Sequence, residues 1–421
     1  MHRVIAAVLA VTACASTTQA QTSGSPPDGP VLTLTQALEL AHANAPSLDA
    51  ANAGVRAADA GERVAGLRPN PTVSADIENV GGSRAYNIIE APKQTVGIGL
   101  PLELGGKRPA RIAVAVSQRG RAGIDQAIAE ADLRESVTDA YVETVSAERR
   151  LGAARQQARI AGETAHAAQV RVEAGKASPL EQQRADVLRI AAEADVQKSQ
   201  RLATLARANL ERRLGQPVSG RLDQDWFDRI DAYGPPQPRD GMTSLSVAAA
   251  TADRRTAEAQ LRLARSQRIP DVTVSTGVRR LPATNGVAAV FGVSVPLPLF
   301  NGGSAAIAQR TAERDKVDAE RRSAMLDAEQ QVAQAQADLA NAQAAASNAI
   351  GSALVAAQEA TRIARIGYRE GKFGQLDLLD AERTLAQTRT AAIEALTVYH
   401  RARARLERLA ATAPSPKEDD R

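Results

Sequence analysis

The sequence contains very few aromatic side chains: Phe, Tyr and Trp together make up 2% of its 421 residues. Aromatic residues supply much of the buried area of ordinary globular cores, so a large globular domain would be hard to pack from this composition. Alanine-rich helices that approach one another closely need such side chains far less. The composition therefore predicts a chain built mainly of long, closely packed helices.

Residues that form chemical sites are also scarce. The four histidines show no metal-binding spacing, and one cysteine and three methionines provide no cluster of soft ligands. The pairs Gly106-Lys107 and Gly371-Lys372 lack the earlier glycine and the following Ser or Thr of a phosphate-binding loop. No Ser-His-Asp set has useful spacing. The sequence thus predicts a protein that is not an enzyme and has no metal site and no cofactor.

The charge pattern excludes a typical nucleic-acid-binding protein. The net charge is +4, and arginines alternate with acidic residues along the helical segments. A nucleic-acid-binding surface would instead cluster basic residues with stacking aromatic side chains. We interpret these charges as solvated helix faces.

Long apolar runs are absent after the N-terminus, and nothing there approaches the 18 consecutive apolar residues of a membrane-spanning helix. Residues 1–20 combine an apolar run from Val4 to Ala13 with a small-residue end, which predicts an export signal peptide. One alternative is cleavage after Ala20; the other is lipidation of Cys14. Val11 and the short apolar run fit the lipidation motif poorly, so cleavage after Ala20 is favoured.

Four segments alternate apolar and polar residues with the period of a strand, at about 72–80, 94–102, 272–280 and 287–297. Long helical patterns separate them. The pattern from Lys107 to Glu173 predicts a single helix about 100 Å long.

The two halves of the chain repeat each other. Leu100-Pro101-Leu102 recurs 195 positions later as Val295-Pro296-Leu297, and Gly175-Lys176 recurs 196 positions later as Gly371-Lys372. We therefore predict two copies of a helix–hairpin–long helix–helix unit. The predicted bounds are a signal peptide at 1–20, a linker at 21–32, a first repeat at 33–214, an equatorial linker at 215–241, a second repeat at 242–411 and a polar tail at 412–421.

Four strands with one apolar face cannot close around a lumen, and open strand edges cannot lie in lipid. Three copies would supply twelve strands, which can close. The expected fold is therefore a transmembrane β-barrel joined to an α-helical barrel, with close packing supported by the heptad spacing of Met325, Val332 and Leu339. The alternative, a structural coiled-coil protein of the cell surface, leaves the four strands without a partner.

Three segments carry a resemblance to a known family: RPNPTVSADIENVGGS at 68–83, TVGIGLPLELGGKRPARIAVA at 95–115, and VPLPLFNGGSAAIAQ at 295–309. They resemble the TolC-type outer-membrane efflux proteins, and more closely the CzcC-like branch that serves cobalt, zinc and cadmium efflux. The resemblance covers essentially the whole mature chain.

The resemblance implies a homotrimer in the outer membrane of a Gram-negative bacterium, with its helical barrel in the periplasm. It also implies a periplasmic adaptor and an inner-membrane pump of the resistance–nodulation–division class as partners. The expected function is an exit duct for divalent cations of the cobalt, zinc, cadmium and nickel class. The alternative within the family is a duct for drugs or other organic solutes.

The repeated turns contain the candidate site. They lie in VEAGKASPLEQQRADVL at 172–188 and YREGKFGQLDLLDAERTL at 368–385. Asp377 and Asp380, three residues apart on a helix start, share a face. In a trimer they would form two rings of carboxylates that attract cations. Alternatively, acidic residues in a first helical turn merely complement the helix dipole. The resemblance favours the first role, because the family's matching aspartates line a closed periplasmic entrance.

The resemblance assigns roles to further residues of the turns. Tyr368 and Glu181 occupy the positions of a latch that holds the family's entrance closed. Phe373 stands where the best-studied member has an arginine, so an altered latch is expected. The turn residues that we expect to meet the adaptor or pump are Gly175, Lys176, Gly371 and Lys372.

Overall fold

The computed structural model describes residues 31–80, 92–230 and 241–414. The predicted signal peptide with Cys14, most of the 21–32 linker, part of the equatorial linker and most of the polar tail lie outside the described residues.

The described chain repeats one order of elements. The first half contains α1 (Leu34–Asn44), α2 (Pro46–Ala65), β1 (Thr72–Glu78), β2 (Lys93–Leu102), α3 (Lys107–Glu173), α4 (Pro179–Leu214) and α5 (Gln224–Asp228). The second half contains α6 (Leu245–Ser266), β3 (Val272–Leu281), β4 (Gly286–Ser294), α7 (Ser304–Asn348), a π turn (Ala349–Ala353), α8 (Leu354–Arg369) and α9 (Gln375–Leu409).

Two predicted boundaries are wrong. The first helical segment is two helices, because Ala45 adopts extended backbone angles and Pro46 opens α2 at its first position. The residue before a proline avoids the helical region, and proline itself fits a helix start. Strand β4 ends at Ser294 rather than near residue 297. Pro296 and Pro298 follow, and proline cannot donate to a strand ladder.

The strands form one antiparallel sheet in the order β1-β2-β3-β4. In its register Ala75 lies opposite Val96, and Val96 lies opposite Val278. One face is exposed and apolar, and its large side chains include Val73, Ile77, Val96, Ile98, Leu100, Val274, Val278, Val287, Phe291 and Val293. The other face carries mainly small and polar residues. The sheet thus has one lipid-like face and two outer edges, β1 and β4, that pair on one side only within the described chain.

Helix α3 is the central element of the helical part. It packs against α2 and α6 and also against α4 and α9, while α7 packs against α6 and α9, and α8 against α9. The largest core forms where α1, α3, α4, α5, α7 and α9 meet, around fully buried Tyr141, Leu210, Phe227 and Leu396. Burial of one such large side chain contributes about 2–3 kcal/mol.

Outside this core the helices pack largely through alanine, as the composition predicts. Of the three heptad positions predicted, all on α7, Val332 and Leu339 are buried and Met325 is half-buried. Across the described ranges, no helix is both long enough and apolar enough to cross a membrane.

Polar groups connect the core to its flanking segments. Tyr141 donates a hydrogen bond to the Leu32 carbonyl (2.8 Å), and its oxygen accepts one from the Asp223 backbone N–H (3.0 Å). His400 stacks on Trp226 at 4.2 Å between ring centres, and its Nε2 lies 2.8 Å from the Phe227 carbonyl oxygen. His400 therefore has a packing role at the middle of the helical part.

Candidate functional site

The two Gly-Lys turns have the same backbone geometry. Gly175 and Gly371 both have left-handed φ values, 69° and 74°. In each turn the lysine N–H bonds back to a carbonyl five residues earlier at 2.8 Å, from Lys176 to Arg171 and from Lys372 to Gly367. Glycine adopts positive φ at little cost, and such bonds satisfy the last carbonyls of a helix. The turns are therefore structural repeats as well as sequence repeats.

The side chains of both turns project into open space. Gly175, Lys176, Gly371 and Lys372 are all exposed. A Cβ atom on either glycine would meet nothing within 4 Å. Lys372 pairs with Glu370 at 2.7 Å, but both side chains are exposed, and such surface pairs contribute little to stability. These four residues are thus exposed at the ends of the two hairpins.

Asp377 has a defined role at the start of α9. Its Oδ2 accepts a hydrogen bond from the Gly374 backbone N–H at 2.9 Å. This bond satisfies one of the donors left free at a helix N-terminus. Asp377 therefore stabilises the helix end. Its side chain is nevertheless exposed, as is that of Asp380. That the two carboxylates line an entrance stays a prediction.

Asp380 borders a groove of about 470 Å³ between α3, α4 and α9. The groove is lined mainly by apolar surface, and its charged lining residues are Asp380, Glu382 and Arg383. Its larger apolar lining residues are Leu188, Leu376 and Leu379.

Tyr368 is held by a residue that the sequence did not reveal. Arg171 Nη1 donates a hydrogen bond to the Tyr368 hydroxyl at 2.8 Å, and the guanidinium lies 5.3 Å from the ring centre. The contact joins α3 to α8 and combines a charge-assisted hydrogen bond with a cation–π arrangement. Arg171 precedes the first turn, and the residue that corresponds to it in the second repeat, 196 positions later, is Gly367. The repeat therefore gives no indication that Arg171 contacts Tyr368.

The predicted bond between Glu181 and Tyr368 stays a prediction. Glu181 is half-buried in the first turn of α4, at the position that corresponds to Asp377 in the other repeat. Within the described chain, the Tyr368 hydroxyl accepts a hydrogen bond from Arg171.

Phe373 takes part in the second turn by packing on glycine. A Cβ atom on buried Gly367 would overlap the Phe373 ring. The Phe373 N–H also bonds to the Gly367 carbonyl at 3.2 Å. The aromatic ring therefore covers the backbone of α8 one turn before the chain reverses, and Gly367 is required for this fit.

A buried carboxylate lies behind the turns. Glu382 is 7% exposed, and Arg365 Nε donates to its Oε1 at 3.3 Å. Burial raises the pKa of Glu382, Arg365 opposes this increase, and the Glu163 carboxylate on α3 adds to it. Burial and the charge of Arg365 lower the pKa of the neighbouring Arg389. The α8–α9 hairpin thus contains a salt bridge between Arg365 and Glu382 whose carboxylate is buried.

Comparison with known proteins identifies the family. The model of the family described as "Outer membrane efflux protein" matches residues 37–216 and 243–412, one segment in each half. The cobalt-zinc-cadmium resistance protein CzcC of Cupriavidus metallidurans is 30% identical over 381 residues, which cover 90% of each chain. The nickel and cobalt resistance protein CnrC of the same organism is 33% identical over 291 residues, covering 68% of this chain and 69% of CnrC.

The fold agrees with this match. The crystal structure of the outer membrane protein VceC from Vibrio cholerae superposes with a TM-score of 0.74 at 21% identity, covering 90% of this chain and 96% of VceC. This likeness concerns the fold alone, and it confirms the predicted architecture of long helices carrying a small sheet. The chain therefore belongs to the outer membrane efflux protein family, and its sequence relatives include CzcC.

Proposed function

We propose that this protein is the outer-membrane exit duct of a tripartite efflux system that exports divalent heavy-metal cations of the cobalt, zinc, cadmium and nickel class. The observation that carries the proposal is the 30% identity to the cobalt-zinc-cadmium resistance protein CzcC over 90% of both chains. The relative CnrC, whose name specifies nickel and cobalt, supports the same class of cargo.

The proposed duct is a homotrimer. The exposed apolar face of the sheet suits lipid, and the outer edges of β1 and β4 each need a partner strand in a membrane. Three four-stranded sheets joined edge to edge give a twelve-stranded barrel without free edges. Below it, the 67-residue α3 extends about 100 Å, a length suited to a helical barrel in the periplasm.

The proposed partners are a periplasmic adaptor and an inner-membrane pump of the resistance–nodulation–division class. Each Gly-Lys turn reverses the chain between two long helices, α3 to α4 and α8 to α9, and its side chains are exposed. We assign the contact with these partners to the turns at Gly175-Lys176 and Gly371-Lys372.

The proposed entrance is formed by Asp377 and Asp380. In a trimer whose turns converge, the exposed carboxylates form two rings of negative charge, and such rings favour cations in a narrow pore. The bond from Arg171 to Tyr368 joins the two hairpins of one protomer just before their turns. We propose that this bond holds the entrance closed, with Glu181 as the acid that the latch engages in the assembled trimer.

Metal choice belongs to the pump in this proposal. The related chains CzcC and CnrC have names that specify different sets of metals. A common duct can serve either set if an inner-membrane partner selects the cation.

Deletion of the gene tests the proposal. Loss of the duct is expected to lower tolerance to at least one of zinc, cobalt, cadmium and nickel, and the wild-type gene is expected to restore it. The protein is expected in the outer-membrane fraction of the cell. After purification it is expected to migrate as a heat-modifiable trimer. Unchanged tolerance to all four metals, together with increased sensitivity to organic solutes, would instead support the drug-duct alternative.

A further inference from the structure

Helices α7 and α8 form one rod that is interrupted by the π turn at Ala349–Ala353. The matching helix of the first half, α3, runs from Lys107 to Glu173 without interruption. A π turn closes with i→i+5 hydrogen bonds, so it contains one residue more than an α-helical turn. The two long rods therefore differ at one place.

The buried residues show what the π turn does. On α7 they are separated alternately by four and three positions, at Ala328, Val332, Ala335, Leu339, Ala342 and Ala346. Continuation of this stripe would bury residues 356, 360 and 363. On α8 Ala357, Thr361 and Ala364 are buried, each one position later, and Gly367 is buried at the end of the helix, where the Phe373 ring packs on it. The π turn accommodates one extra residue, so that the same face of the α7–α8 rod stays packed against α9.

The first repeat shows that the extra residue is an insertion. The buried stripe of α3 keeps its phase through Ala147, Leu151, Ala154, Ala161, Ala165 and Ala168. Leu151 and Ala346 are 195 positions apart, whereas Ala161 and Ala357 are 196 apart. The offset between the two repeats thus changes from 195 to 196 positions between Ala346 and Ala357, where the π turn lies.

The π turn also lies where the main core ends. Among the residues buried in that core, Ala346 is the last on α7 and Ile393 is the first on α9. None of the five residues of the π turn is fully buried. A Cβ atom on Gly351 would meet nothing within 4 Å. Ile350 packs half-buried against the main core, whereas Ser352 and Ala353 are exposed, so packing constrains the turn on one side only.

Beyond the π turn, the buried residues of α8 are all small, and none of them belongs to the main core. Thr361 Oγ1 donates a hydrogen bond to the Ala381 carbonyl at 3.0 Å, which joins α8 to α9. Arg171 joins the end of α8 to α3 through Tyr368. The main core of the helical part thus ends at Ala349–Ala353, and α8 beyond it is packed through small side chains.

We propose that the π turn at Ala349–Ala353 is the hinge of the duct. The α8–α9 hairpin bends there against the upper helices, while α3 has no such interruption and stays a continuous rod. A π turn is a common origin of helix kinks because its spare residue changes the local direction without breaking the helices on either side. The consequence for opening rests on the proposed function, since this hairpin carries Tyr368, Asp377 and Asp380.

Hydrogen exchange on the wild-type protein tests the hinge without any transport assay, and the first repeat supplies an internal control. Amides of residues 349–354 are expected to exchange at least about tenfold faster than those of the matching residues 153–158 on α3, a difference of ~1.4 kcal/mol in opening free energy. Equal protection of the two segments would overturn the proposal.

Deletion of Ser352 provides a second test, because it removes the spare residue and keeps the buried faces of α7 and α8 aligned. The control Ser352→Ala retains the residue count and the π turn. The deletion variant is expected to assemble with undiminished thermal stability but with an open probability in planar bilayers about tenfold lower than that of the control. Equal open probability would contradict the hinge.

The two tests separate the inference from the proposed function. If the wild-type gene conferred no metal tolerance, the proposed function would fail, and the exchange measurement would still decide whether the π turn is a hinge. If the deletion variant did not assemble, the same exchange comparison on the wild-type protein would decide the question.

Discussion

Replacement of Arg171 by alanine is expected to loosen the contact between the two hairpins and favour the open duct. The change removes a 2.8 Å hydrogen bond from a charged donor to Tyr368 and a guanidinium 5.3 Å from the ring centre. Both residues are half-buried, so solvent weakens the contact, and we expect a loss of about 1.5 kcal/mol per protomer. If three protomers open together, the combined effect of ~4.5 kcal/mol raises the open-to-closed ratio on the order of a thousandfold.

Single-channel recording of the purified trimer in a planar bilayer measures this ratio. Arg189→Ala is the matched control, because Arg189 pairs only with Asp186 and Glu193 of its own helix in the described chain, and such exposed pairs contribute about 0.3–0.5 kcal/mol. A double-mutant cycle with Tyr368→Phe isolates the hydrogen bond, since residues in direct contact give non-additive effects. The reasoning is refuted if Arg171→Ala opens no more than Arg189→Ala, or if the cycle shows no coupling.

Three further predictions concern the same end of the molecule. Replacement of both Asp377 and Asp380 by alanine is expected to lower cation selectivity severalfold and change the conductance in bilayer recordings, because it removes the carboxylates of the two proposed rings; unchanged selectivity would count against the assignment. Glu382 has a raised folded-state pKa, so its ionised form destabilises the native state above that pKa, and wild-type thermal stability should rise as the pH falls towards 4.5. Glu382→Gln should flatten that part of the stability profile, and an identical profile in both proteins would show that this carboxyl is not responsible. Charge reversal of Lys176 and Lys372 to glutamate should abolish metal tolerance while the trimer still forms, and retained tolerance would exclude these turns as the docking site.

Much of the fold could be predicted because strong local signals mark its boundaries. The predicted bounds of α3 match the structure, since Gly105-Gly106 precede it and Gly175 follows its end, and Ser178-Pro179 then open α4. Glycine at positive φ and proline at the first helical position are local effects, which a single sequence reveals. Alternation of apolar and polar residues located all four strands in the same way.

The features that were missed depend on longer-range contacts or on small shifts of phase. The π turn is one extra residue in a helix rich in alanine and glutamine, where the apolar stripe is too weak to show a shift of one position. The partner of Tyr368 lies 197 residues away on α3, and no pattern links the two. The break before Pro46 could have been recognised from the proline alone, because the preceding residue is biased away from the helical region.

The candidate site could be predicted in part. The sequence located both turns and both aspartates, and it left open whether the aspartates serve the helix end or an entrance. The structure gives Asp377 the helix-end bond to Gly374 and leaves its second oxygen available, so the two roles are compatible. Placement of the aspartates around a lumen depends on neighbouring protomers, which a single chain does not specify.

The central claim is that this chain is the exit duct for divalent heavy metals, and the cellular metal content tests it most directly. Cells lacking the gene and cells complemented with it are exposed to sublethal zinc, cobalt, cadmium or nickel, and retained metal is measured by mass spectrometry. The account predicts severalfold higher retention of at least one of these metals in the cells lacking the gene. Equal retention of all four metals in both strains, with the pump and adaptor present, would contradict it.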